Sequence, residues 1–283
     1  MPLTTRTKIA LAATVQRPIV AVRQVFGRGP RCTVSRSGLR WALDLNEGID
    51  FSIWLLGAFE RSAVTAYSRI VGPGMTVLDI GANIGAHTLP LARLVGDAGR
   101  VIAVEPTVWA LNRLDANIAL NPDLSKRVLT RQVMLVGRPN DPVPDEIFAS
   151  WPFRGGAVHP ILRAQAKTSA GAQALTMDDL VRECGIDRVD FIKLDVDGHE
   201  CSVLRGGVEV ITRDNPAIVL ELSPYSHSET GESFDEMLSI LYRFRYQLRN
   251  LSTNVRLPVD ATHLRSIIPD GGSINVLAVA DPR

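Results

Sequence analysis

The stretch MTVLDIGANIGAHTLPLAR, residues 75–93, decides the fold class of this chain. A short apolar run closes on Asp79 and enters a loop with two glycines, Gly81 and Gly85, before a helical pattern begins. Strand, glycine turn and helix in that order form the nucleotide-binding unit of an open parallel sheet, where ligands sit at the carboxyl ends of the strands. Gly81 permits the tight turn and Gly85 the close approach of the next helix. Asn83 stands where related loops carry glycine, and asparagine tolerates the left-handed conformation better than most residues.

Glu105 closes the next apolar run, RVIAVE, twenty residues after Gly85. An acid at that distance is placed to accept ribose hydroxyls. The dinucleotide fingerprint is G-x-G-x-x-G, whose glycines admit a pyrophosphate. Here the spacing is D-x-G-x-N-x-G. A carboxylate at the strand end opposes a pyrophosphate but suits a cationic amino-acid group, as in S-adenosylmethionine. The expected cofactor contacts are Asp79, Gly81, Asn83, Gly85, Thr88 and Glu105, with Met134 on the third strand. His87 and Thr88 are placed to meet the methionine end.

Outward from this turn the pattern alternates. RVIAVE, RVLTRQVMLV, VDFIKLDV, AIVLEL, YQLRNL and INVLAVA read as strands. AHTLPLARLVG, TVWALNRLDANIALN, MDDLVRECG, GHECSVLRGGVEVITR and SFDEMLSILYRF read as helices. Apolar strands alternating with helices imply a parallel sheet covered on both faces. No helix is visible between the last two strands, so an antiparallel pair is expected. Residues 137–173 break the alternation, with five prolines and the glycine pair 155–156, and are expected to form an aperiodic acceptor lid. Trp151 and Phe153 are its candidates for stacking on a sugar or covering an apolar acceptor.

The chain has 283 residues, long enough for a sizeable core, and a net charge of +1. Its three cysteines form no C-x-x-C pair, so no disulfide framework or zinc knuckle is implied and reducing cytoplasm is expected. Charge is unevenly spread. Residues 1–43 carry eight of the 31 basic residues and none of the 30 acidic ones. The remainder therefore holds 23 basic against 30 acidic residues, a net of −7 that disfavours a nucleic-acid partner. IALAATV, residues 9–15, is far short of the roughly 20 residues a membrane span needs. An amphipathic surface helix is expected instead, either packed on the domain or touching anionic lipid as a peripheral membrane contact. The expected organisation is a basic helical extension over 1–37, a lead-in strand and helix over 38–74, and one large domain over 75–283.

Taken in order, VLDIGANIGAHTLPLA, GRVIAVEP, LDANIALN, ALTMDDLV, VDFIKLDVDGHECSVLRGG and PAIVLEL resemble the FkbM-type family of S-adenosylmethionine-dependent methyltransferases. The resemblance covers roughly residues 75–222, and LDLNEGIDFSIWLLGAFE is similar to the family's lead-in segment. It implies an α/β, class I methyltransferase (Rossmann-like) doubly wound sheet with an antiparallel C-terminal strand. It also implies O-methylation of a hydroxyl on a sugar, glycolipid or natural product. Two departures bear on the substrate pocket: Ala86-His87 replace a frequent aromatic pair, and Asp197 replaces a frequent glutamate.

FIKLDVDGHE carries the second site. Side chains alternate along a strand, so Phe191, Lys193 and Asp195 share one face. A lysine in a central strand needs partners, and Asp79, Asp195 and Glu221 are the candidates. Asp197 with Glu200 reads as a capping box. Asp195 is expected as the base or hydroxyl-orienting group, with His199 as second candidate for the base because its ordinary pKa lies near 6.5. Tyr225 and His227 follow the fifth strand and are placed to line the acceptor pocket. The strand-end acids suit Mg²⁺, but capping and ion pairing account for two of them, so no metal is assigned. The competing readings are a nicotinamide-dependent oxidoreductase, which lacks here the third glycine and a Tyr-x-x-x-Lys pair, and a non-enzymatic nucleotide-binding scaffold.

Overall fold

The computed structural model describes residues 4–154 and 158–281. The glycine pair 155–156 lies outside the described residues. The chain opens with α1 (Thr5–Val25), whose first turn is capped by the Thr4 hydroxyl accepting from the Thr7 N–H at 3.2 Å. An antiparallel hairpin, β1 (Arg31–Arg36) and β2 (Leu39–Asp44), leads into α2 (Gly48–Leu56) and α3 (Arg61–Tyr67).

The alternating body follows as β3 (Thr76–Ile80), α4 (Thr88–Leu94), β4 (Arg100–Val104), α5 (Val108–Ala119), α6 (Pro122–Ser125) and β5 (Val128–Arg131). Next come β6 (Val133–Leu135), β7 (Glu146–Ser150), β8 (Gln165–Thr168), β9 (Gln173–Leu175) and α7 (Met177–Glu183). They lead to β10 (Phe191–Leu194), α8 (Glu200–Arg205), α9 (Val208–Asp214), β11 (Ala217–Leu222), α10 (Pro224–Thr230) and α11 (Phe234–Arg243). The chain closes with β12 (Tyr246–Asn250), β13 (Arg256–Leu257), α12 (Ala261–Ile267) and β14 (Ile274–Ala280).

Eight strands form one sheet in the order β13-β12-β14-β11-β10-β3-β4-β5. From β11 to β5 every pair is parallel. The β14 strand runs antiparallel to both β11 and β12, the arrangement of a doubly wound α/β fold with an antiparallel edge. Strand order reverses between β3 and β10, and such a switch point opens a crevice at the carboxyl ends of the strands.

Pleating divides the strand side chains between two cores. Leu78, Ile102 and Ile192 face one core. Val77, Val101 and Phe191 face the other, where Ala13 of α1, Trp41 of β2, Phe51 of α2 and Tyr67 of α3 complete the packing. Full burial of large side chains such as Trp41 and Phe51 stabilises the fold by about 1.5–3 kcal/mol each. The N-terminal segments thus cover the sheet face that also carries Lys193.

Four features differ from the sequence reading. RVLTRQVMLV is two strands, because the chain leaves the main sheet at Gln132 and β6 pairs with β9 instead. GHECSVLRGGVEVITR is two helices: a Cβ on Gly207 would lie 1.7 Å from Met177 Cε, so only a bare backbone fits at that break. A helix, α12, does lie between the last two long strands, which pair antiparallel all the same. Residues 137–173 are not aperiodic, since β7 and β8 form an antiparallel hairpin. That hairpin is tied to the lead-in segment. Ser150 Oγ donates to Glu47 Oε2 at 2.9 Å, Gly48 N–H donates to the Trp151 carbonyl at 3.0 Å, and Phe153 N–H donates to the Asn46 carbonyl at 2.8 Å.

Candidate active site

A cavity of about 530 Å³ opens at the switch point. The β3 turn forms its floor. Gly81 has φ +83°, and a Cβ there would come 1.8 Å from the Asp195 carbonyl oxygen. Asn83 takes the left-handed conformation at φ +47°. Its side chain accepts from the Ile84 N–H at 2.9 Å and donates to the Ala149 carbonyl of β7 at 2.9 Å. The turn is therefore fastened to the hairpin that walls the cavity.

Glu105 is buried at the end of β4 and lines the cavity. One carboxylate oxygen accepts the Asn83 N–H at 3.0 Å. The other accepts the Thr107 N–H at 2.9 Å and the Thr107 hydroxyl at 2.6 Å. Burial raises the pKa of this carboxyl above its ordinary value, although the three donors oppose the shift. A carboxylate has about four lone-pair sites, so one remains for a ligand hydroxyl.

Lys193 is fully buried in β10, beneath the opposite half of the cavity. Its ammonium lies 2.9 Å from Asp195 Oδ2 and 3.7 Å from Glu60 Oε2. Burial opposes the charged form, yet Asp195 and Glu60 hold the lysine protonated, above its usual pKa. Glu60 sits between α2 and α3 and accepts from Asn275 Nδ2 at 2.6 Å. Its Oε2 is 3.3 Å from His87 Nε2. Burial would raise its pKa, but Lys193 and His87 outweigh that and hold it at about 2.

Glu60, His87, Asp195, Asp197, His199 and Glu221 all line this half of the cavity. Burial, reinforced by the Asp195 charge, pushes Glu221 up to about 8. Burial and the neighbouring carboxylates, Asp195 first, push Asp197 well above the usual carboxylate range. Burial pushes His199 down, which favours its neutral imidazole.

Of the residues expected at the site, Gly81, Asn83, Glu105, Met134, Trp151, Phe153, Asp195 and His199 line the one cavity. Five others do not. Asp79 is buried beneath the turn and accepts the Thr88 hydroxyl at 2.5 Å, so the two bond each other rather than facing the cavity. Gly85 lies behind the loop, where a Cβ would meet Leu114 Cδ1 at 2.7 Å. Tyr225 points along α10, its ring 6.3 Å from that of His159. His227 is buried, donating from Nδ1 to the Ser223 carbonyl at 3.0 Å and packing on Phe234.

The capping box is also corrected. The helix begins at Glu200, and Asp197 sits earlier, at φ +50°. Glu200 does reach back, accepting from the Val196 and Gly198 N–H groups at 3.1 Å each. The Asp197 side chain caps nothing and faces the cavity, with no hydrogen bond among the described residues. Sequence reasoning missed Glu60 as a partner of Lys193. The available signal was the face shared by Phe191 and Lys193, the face that the lead-in segment covers. It also missed α1, whose Ile9, Ala12 and Val15 line the cavity.

Three comparisons place the chain among known proteins. Residues 79–248 match the model described as "Methyltransferase FkbM domain". Hexuronic acid methyltransferase AglP of Haloferax volcanii is 26% identical over 206 residues, covering 72% of this chain and 74% of that protein. AMB antimetabolite synthetase AmbE of Pseudomonas aeruginosa is 26% identical over 221 residues, but the match spans only 10% of that much longer protein. The crystal structure of methyltransferase FkbM from Methylobacillus flagellatus KT aligns at a TM-score of 0.43 and 19% identity, over 72% of this chain and 43% of that one. With more than half of its length matched by the family model, the chain belongs to the FkbM family of S-adenosylmethionine-dependent methyltransferases.

Proposed function

We propose that the protein methylates a hydroxyl of a sugar, free or attached to a larger molecule. One observation carries this reading: a fixed ribose-type acceptor, Glu105, and a wall of acidic side chains face the same cavity at the switch point. The residues present fit S-adenosylmethionine. Glu105 is held by three donors with a lone-pair site to spare. Glu60 and Asp195 face a ligand bearing a sulfonium and an ammonium, and the raised Asp197 and Glu221 carboxyls can hydrogen-bond it. The volume falls within the range of about 300–1,000 Å³ usual for small-molecule sites.

When bound, the cofactor supplies an electrophilic methyl group. The chain's own residues do the rest. Asp195, ion-paired with Lys193, accepts a hydrogen bond from the acceptor hydroxyl, orients it and takes its proton as the oxygen attacks the methyl group. His199, whose neutral form burial favours, lines the same cavity and is the second candidate to receive that proton. Trp151 and Phe153 shield the site from water and present aromatic faces to a sugar ring. The sugar class is supported by the relative named a hexuronic acid methyltransferase.

The test is transfer of a labelled methyl group to a panel of neutral, amino and uronic glycosides. Transfer to sugar hydroxyls, lost in Asp195→Asn while calorimetric cofactor binding persists, is expected. Transfer to amines or carboxylates rather than hydroxyls, or to none of the glycosides, overturns the reading.

A further inference from the structure

Helix α1 is apolar on two opposite faces. Ala13, Gln16 and Val20 are buried against the domain, with Gln16 Nε2 donating to the Leu45 carbonyl at 3.0 Å. At 100° per residue, Leu11, Val15, Pro18, Val22 and Val25 fall on the other side. That second stripe is in solvent: Leu11 is 55% exposed, Val22 56% and Val25 82%, and Phe26 continues it at 75%. Scattered exposed apolar residues are ordinary, but a regular stripe of this length marks a contact surface.

Two further observations identify what covers it. The segment carrying the stripe, residues 1–43, holds eight basic residues and no acidic one, while the rest of the chain is net negative. Lys8 is exposed and borders the stripe on the helical wheel, about 20° from Val15; Arg17, also exposed, lies farther round, on the side of Val25. An apolar stripe edged by Lys8 on an all-basic segment fits an anionic bilayer surface, where the stripe enters the acyl boundary and the cations meet headgroups. No described helix is long and apolar enough to cross a membrane. The stripe also borders the cavity. Val15 belongs to both, and the neighbouring Leu55 and Leu56 of α2 line the cavity while being 45% and 53% exposed.

We infer that α1 lies in the plane of an anionic lipid bilayer and sets the cavity mouth, at Val15, Leu55 and Leu56, against the membrane. An acceptor sugar anchored in that membrane by an apolar chain then reaches Asp195 without leaving the lipid. This second step rests on the proposed sugar methylation; the docking itself does not.

The experiment is flotation of the full chain with vesicles of phosphatidylcholine alone, or with about one third phosphatidylglycerol, at low and high salt. Leu11→Glu with Val22→Glu changes only exposed stripe residues outside the cavity, and circular dichroism checks that the variant is folded. Expected are binding to the anionic vesicles, loss of binding at high salt, and about tenfold weaker binding by the double variant. Cofactor affinity, read by calorimetry, should be equal in both proteins. A wild-type protein that ignores anionic vesicles, or a folded variant that binds them equally well, overturns the inference. So does a dimer in lipid-free solution that the double variant dissolves, which would assign the stripe to a second copy. Lost cofactor binding in the wild type would sink the methyltransferase reading and leave the docking result standing.

Discussion

The ammonium of Lys193 sits 2.9 Å from the carboxylate of Asp195, two residues along the same strand, at the base of the cavity. The pair joins a fully buried charge to a group that lines the site. Lys193→Met should lose about 3–5 kcal/mol of stability, because it strands Glu60 and Asp195 without their cation. Asp195→Asn keeps an oxygen that can accept from Lys193, so about 1–2 kcal/mol is expected. Its turnover should fall by about 10²-fold or more. Urea unfolding and single-turnover methyl transfer check both; an active Asp195→Asn enzyme would remove Asp195 from the chemistry.

Gly81→Ala is expected to damage the site at its base. Left-handed backbone costs a β-carbon residue about 1–2 kcal/mol, and the Asp195 carbonyl already occupies the space. Melting temperature and cofactor affinity should fall together. Wild-type values for both would mean that the β3 turn can shift away from β10 freely.

Glu105→Ala should weaken cofactor binding by about 1.5–3 kcal/mol, the range for hydrogen bonds to a charged group. It also strands three donors, from Asn83 and Thr107, so the protein itself should lose stability. Glu105→Gln retains a carbonyl oxygen and should recover most of that stability but less of the affinity. Calorimetry beside thermal melts separates the two losses; equal affinity in a folded Glu105→Gln protein would argue against a role in holding the ribose.

Two carboxyl groups should move stability in opposite directions with pH. Glu221 is raised from 4.5 to about 8 in the folded state. The native fold binds that proton more tightly than the unfolded chain, so stability is lost as pH climbs from 4.5 towards 8. Glu221→Gln should therefore gain on the wild type across that window. Glu60 is lowered from 4.5 to about 2, so its contribution is present above 4.5 and disappears as pH falls towards 2. Glu60→Gln should cost most near neutrality and least in acid. Unfolding curves of the three proteins from acid to pH 9 measure both slopes, and parallel curves would contradict the assignments.

The sequence by itself determined the sheet and its nucleotide turn. Continuous apolar runs closing on Asp79 and Glu105, with helices between them, pointed to a parallel sheet covered on both faces. Gly81, Asn83 and Glu105 are legible because backbone conformation and strand-end position are local properties. Tertiary structure decided everything that depended on what lay across a gap. Asp79 looked like a ligand group from its place at a strand end, but Thr88 folds back onto it. Asp197 and Glu200 had cap spacing, but the left-handed turn at Asp197 moved the helix start to Glu200 and freed the aspartate for the cavity. Glu60 reaches Lys193 only because α2 and α3 cover that face of the sheet. The outward stripe of α1 became a surface only once Ala13, Gln16 and Val20 had docked on the other side. A helix with two apolar faces does not state in its sequence which one the core will take.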